Sequence, residues 1–118
     1  MPAVFPIVVR TVDDVTVVDL RGHLMDDGDI PLVECVTDLI RRGRLKVLLN
    51  LKDVARIDST GIGMLVAKYL SLRRLGGDLK LMHVGERARH LLSVTKLSRV
   101  IETFESEDEA IRSFGSRP

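Results

Sequence analysis

Tryptophan is missing from this chain of 118 residues, and aromatic side chains make up only 3% of it. So few flat rings cannot build a base-stacking nucleic-acid surface or a sugar-binding platform. Cysteine is nearly absent as well. Cys35 stands alone, which excludes an internal disulfide and a cysteine-based zinc cluster and fits a reducing compartment. No apolar run approaches the roughly 20 residues that cross a bilayer. The chain does not open on a basic segment followed by an apolar stretch. A cytoplasmic protein with no membrane partner is expected.

Recognised metal and nucleotide motifs are lacking too. His23, His83 and His90 show no metal-ligand spacing and read as structural histidines, His83 in a strand and His90 on a helix. Asp26-Asp27-Gly28-Asp29 has the acids of a calcium loop without its alternation or its distal glutamate. The phosphate-binding pattern Gly-x-x-x-x-Gly-Lys-Ser/Thr does not occur. No cofactor and no metal are expected.

What is present is an ordinary globular composition, 45% hydrophobic and 30% charged. It suits one domain over residues 1–118, with a core from about 13 to 115. The net charge of +1 conceals an asymmetry. Asp13 to Asp38 holds eight acidic residues against Arg21, whereas Lys68 to Arg99 holds eight basic ones against Asp78 and Glu86. These stretches either pair, form solvated surfaces or present two opposed faces. The basic residues are spread singly and without aromatics, so no direct nucleic-acid contact is expected.

The apolar pattern alternates strands with helices. Val4 to Arg10 reads as a strand that Pro6 confines to an edge, and Val15 to Arg21 as its hairpin partner across Asp13-Asp14. Asp29-Ile30-Pro31 starts a helix carrying Leu32, Val36, Leu39 and Ile40, closed by Gly43. Leu45 to Leu51 is a third strand, and Ile62 to Leu75 a second helix ending at Gly76-Gly77. Leu79 to Val84 is the fourth strand, followed by a helix from Gly85-Glu86 to about Lys96. Val100 to Phe104 and a helix capped at Ser106 complete the order β-β-α-β-α-β-α-β-α. That order predicts an α/β fold with a mostly parallel central sheet and helices packed on it. Cys35 falls beside the first helix's apolar stripe, as a small buried hydrophobe.

The most informative stretch is Asp58-Ser59-Thr60-Gly61-Ile62-Gly63, between the third strand and the second helix. Backbone N–H groups at a helix start lack intrahelical partners, and the helix dipole favours negative charge there. Ser59 therefore suits either a helix cap or a phosphate acceptor. A hydrolase nucleophile would need Gly-x-Ser-x-Gly, whereas Ile57 and Asp58 precede Ser59. On the second helix, Ile62, Leu65, Val66, Tyr69 and Leu72 lie at core spacing. Gly63, Met64, Ala67, Lys68 and Ser71 are expected to form an outward strip that a partner can approach closely.

The strand, this six-residue motif, the helix, Gly76-Gly77 and Leu79-Lys80-Leu81 together resemble the STAS family, and within it the bacterial anti-sigma factor antagonists. The resemblance runs from about Val15 to Phe114 and includes Gly22-His23-Leu24, Asn50-Leu51 and Leu91 to Leu97. It implies a single STAS domain that is not an enzyme and that frees a sigma factor by binding its anti-sigma factor; the alternatives are a STAS scaffold or sensor component of a larger regulatory assembly, or a STAS module of a transport system. The implied partners are an anti-sigma factor serine kinase, a histidine-kinase-like ATPase, and a serine phosphatase. The phosphorylated serine follows the motif's Asp, which is Ser59 here, with Thr60 the lesser candidate. Partner contacts are expected at Asp58, Ser59, Thr60, Gly61, Gly63, Met64, Ala67 and Lys68. After the second strand the family usually has Glu-Leu-Asp, whereas this chain has His23-Leu24-Met25 with Asp26 and Asp27 just beyond. The acidic contacts of that loop are expected at Asp26 and Asp27.

Overall fold

The computed structural model describes residues 7–24 and 30–115. Their elements are β1 (Ile7–Val12), β2 (Val15–Leu24), α1 (Ile30–Arg41), β3 (Lys46–Ile57), α2 (Ser59–Arg74), β4 (Asp78–Met82), α3 (Glu86–Val94), β5 (Thr103–Phe104) and α4 (Glu107–Ser113). The order is the one the sequence pattern predicts. The five strands lie in the sheet in chain order, β1 antiparallel to β2 and every later pair parallel.

Strand alternation sorts the apolar side chains onto two faces. On one face Val18, Leu20, Val47, Leu49, Leu79 and Leu81 meet α1, α2 and α3 in the main core. On the other, Val15, Val17, Leu48 and Met82 meet α4 through Ala110 and Ile111, with Val12, Phe104 and Phe114 at the margin. Charged clamps hold this short helix. Arg10 bonds Asp19 at 2.7 Å and Glu107 at 2.6 Å, and Asn50 donates to the same Asp19 carboxylate. At the other end the buried Lys80 ammonium donates to the Ser113 carbonyl and hydroxyl and pairs with Glu102 at 2.8 Å. The Phe114 ring lies 4.7 Å from that ammonium, close enough for a cation–π contact.

Several boundaries differ from the sequence reading. β3 continues six residues past Leu51 to Ile57, paired there, among the described residues, with β2 alone, because β4 accompanies it only as far as Asn50. With one neighbour and open sides, Lys52, Asp53, Ala55 and Arg56 are exposed, so that half carries no apolar run. His83, expected inside the fourth strand, lies just beyond it at φ 57, where the chain turns away toward α3. The third helix stops at Val94; Lys96 is left-handed at φ 64 and leads into a 3-10 turn over Leu97–Arg99. Of the two glycines after α2, Gly77 is required by space: a Cβ there would lie 2.2 Å from the Leu45 carbonyl oxygen. Cys35 is half-buried against the main core, and burial pushes its thiol above the ordinary range, as befits an inert small side chain. The expected N-cap Asp29 lies outside the described residues.

Candidate functional site

The long β3 delivers its last residue, Ile57, into the core and releases the chain at Asp58. Asp58 is extended, at φ −122 and ψ −171, and its Oδ1 accepts from the Gly61 N–H at 3.0 Å while its carbonyl accepts from Ile62. Asp58 is therefore the N-cap of α2, and the helix begins three residues before Ile62, where the apolar spacing starts. Ser59 is thus not the cap of this helix. Ser59 is the first helical residue and exposed, as is Thr60, and capping is done without either hydroxyl. Asp58 takes up one N–H of the first turn, leaving the dipole of a sixteen-residue helix directed at Ser59.

Behind the hydroxyls Gly61 and Ile62 are buried, so Gly61 backs the site from within. Gly63 is exposed, and a Cβ built on it meets nothing within 4 Å. Met64 is not on an outward strip. It is 8% exposed and belongs to the main core, because α2 is flanked by both α1 and α3 and buries a wider arc than an isolated amphipathic helix. Lys68 also turns inward, its Nζ donating to Thr37 Oγ1 on α1 at 3.1 Å. Ser71 donates to the Ala67 carbonyl of its own helix. The exposed stripe descending from Ser59 and Thr60 instead comprises Gly63, Ala67, Leu70 and Arg74. Leu70, 49% exposed, was not singled out from the sequence, although it follows Gly63 by two helical turns. Asp26 and Asp27 lie outside the described residues.

Among the described residues no group of three or more His, Cys, Asp or Glu side chains could hold a metal. No described helix is long and apolar enough to cross a membrane. A cleft lies between Val54 to Ile57 of β3 and the start of α3, lined by Arg56 and Arg87 among others.

The family model for the STAS domain matches residues 6–110. The chain belongs to the STAS domain family. A Thermotoga maritima protein provisionally assigned as an anti-sigma factor antagonist has a crystal structure that superposes with a TM-score of 0.85, at 29% identity and over 93% of each chain. The anti-sigma-B factor antagonist of Bacillus subtilis is 36% identical over 73 residues, 62% of this chain and 60% of its own. The Bacillus cell-fate determinant SpoIIAA, solved in its phosphorylated form, shares the fold at a TM-score of 0.72 and 18% identity, over 92% of this chain and 98% of its own. The first two relatives are named as anti-sigma factor antagonists, a regulatory assignment, and this STAS protein is not an enzyme.

Proposed function

We propose that this STAS protein is an anti-sigma factor antagonist switched by phosphorylation of Ser59. Unphosphorylated, it binds an anti-sigma factor that is a serine kinase of the histidine-kinase-like ATPase type, and a sigma factor is released. The kinase phosphorylates Ser59 to end the interaction, and a serine phosphatase restores it. Asp58, Ser59, Thr60 and the exposed stripe of Gly63, Ala67 and Leu70 form the docking surface, with Gly61 setting the backbone beneath it and Asp26 and Asp27 adding acidic contacts. Met64 and Lys68 act indirectly, by fixing α2 on the core and on α1.

The observation that carries this reading is the division of labour at the helix start. Asp58 caps the helix and Ser59 is exposed beside it, so the serine can gain or lose a phosphate without a structural bond being broken. A phosphate adds about −1.5 to −2 charges and three strong acceptors. At the first helical residue it faces a favourable dipole, so the domain tolerates it. A partner pressed against the same surface has to desolvate that charge next to Asp58, and a loss of about 3 kcal/mol is more than a hundredfold in affinity.

The test uses the purified anti-sigma factor kinase with ATP. One phosphate should be added to the wild type and none to Ser59→Ala, both variants folding equally well. Unchanged phosphorylation of Ser59→Ala would refute the assignment.

A further inference from the structure

The two faces of the sheet are covered unequally. Three helices, α1, α2 and α3, close the front over the main core. The rear cluster takes in one helix among the described residues, the seven-residue α4, of which Ala110 and Ile111 are buried. Under these two lie Val15, Val17, Leu48 and Met82, each without exposed surface. The front and rear clusters are separate, so the front core keeps its own packing whether or not α4 is in place.

Polar fastenings hold both ends of this helix. Glu107, its first residue, receives the Arg10 guanidinium at 2.6 and 2.9 Å. Ser113, its last, accepts from the Lys80 ammonium through both carbonyl and hydroxyl, each at 2.9 Å. The Phe114 ring packs on that ammonium and against the rear cluster. Polar bonds exchange for water, so releasing one costs far less than its strength in isolation. Lys80 is 4% exposed and regains hydration when α4 leaves, while its ion-pair partner Glu102 lies outside the helix. Seven residues do not hold a helix in water without a surface to dock on. Undocking therefore unfolds the whole helix, and loosening either end loosens the other.

We propose that α4 is a latched strap, fastened by Arg10 at its start and by Lys80 with Phe114 at its end. It unfolds and lifts from the sheet as one unit, baring Val15, Val17, Leu48 and Met82 while the front core stays folded. Helix α2 and Ser59 belong to the front, so the strap opens independently of how Ser59 is used.

Residue-resolved hydrogen exchange on the native protein tests the proposal. The Ala110 and Phe114 amides, bonded to the Ser106 and Ile111 carbonyls, should share one protection factor, at least about tenfold below those of the inner half of β3. Arg10→Gln acts at one end of the helix and Phe114→Ala at the other. Each should lower protection at both amides by roughly tenfold and leave α1 and α2 unchanged. Met82 gives a second reading. Dilute hydrogen peroxide transfers one oxygen to an accessible thioether, leaving a sulfoxide and water. Met82 should oxidise faster in both variants, whereas Met64 in the front core should keep its wild-type rate. Wild-type α4 amides as protected as those of β3, loosening confined to the substituted end, Met82 staying at its wild-type rate, or Met64 oxidising in step with it would overturn the proposal.

Discussion

Two helices of this molecule begin at a serine, and they use it differently. At α4, Ser106 is the N-cap: its hydroxyl accepts from the Glu109 N–H, and three acidic residues fill the first turn. At α2, Asp58 is the cap, no acidic residue occupies the first turn, and Ser59 sits one position inside. The serine of α4 is consumed by structure. That of α2 is exposed and structurally idle, at a helix start with no side-chain negative charge beyond its cap. A phosphate on Ser106 would displace a cap and meet three carboxylates, whereas one on Ser59 meets a helix dipole and a single carboxylate. Sequence position relative to the cap therefore separates a serine that caps its helix from one that does not.

The largest expected effect comes from charging the idle serine. Ser59→Asp leaves the Asp58 cap in place, so its melting curve should match that of the wild type. Binding to the anti-sigma factor kinase should weaken by about 2–5 kcal/mol, the range for an unmatched charge at an interface. Calorimetric titration of both proteins measures this, and equal affinities would remove the contrast between the helix starts. Exchanging the caps comes next. Asp58→Ala should cost about 0.5–2 kcal/mol in denaturant unfolding, and Ser106→Ala somewhat less, because its 3.4 Å bond is long and α4 is short. Ser59→Ala should stay within about 0.5 kcal/mol of wild type. A cost at Ser59 as large as that at Asp58 would show that the serine is structural after all.

The charged setting of α4 gives a smaller, pH-dependent effect. The Arg10 guanidinium holds the Glu107 and Asp19 carboxyls below their usual range. A depressed carboxylate stabilises the fold above its unfolded pKa, about 4, and that contribution is lost as pH falls through the folded value. Wild type should therefore lose stability below about pH 4 partly through this clamp, and Arg10→Gln should lose less over the same interval. Melts at stepped pH compare the two slopes. Gly63→Ala fills open space on α2 and should raise stability by up to about 1 kcal/mol while weakening partner binding. Unaltered binding would confine that glycine to local geometry.

The element order and the parallel sheet were legible because β2, the inner half of β3 and β4 are apolar and the helices between them keep a 3.6-residue period. The outer half of β3 was not legible: Lys52-Asp53-Val54-Ala55-Arg56 projects past β4, and a ribbon open on several sides needs no apolar alternation. Met64 and Lys68 were misplaced for a related reason. A helix wedged between two others has no single buried face, and only packing reveals that Met64 joins the core and Lys68 reaches Thr37. The clamp from Arg10 to Glu107 joins residues 97 apart in the chain, a separation that local pattern does not register. At the candidate site the motif was visible, but the division between Asp58 and Ser59 required the hydrogen bond to Gly61.

Phosphosite mapping tests the central claim most directly. The wild-type protein is incubated with the purified anti-sigma factor kinase and ATP, digested, and its peptides are sequenced by tandem mass spectrometry. The account predicts a single phosphate, on Ser59, with Ser106 unmodified and the melting curve of the modified protein close to that of the unmodified one. A phosphate at any position other than Ser59, or one on Ser59 that unfolds the domain, would contradict it.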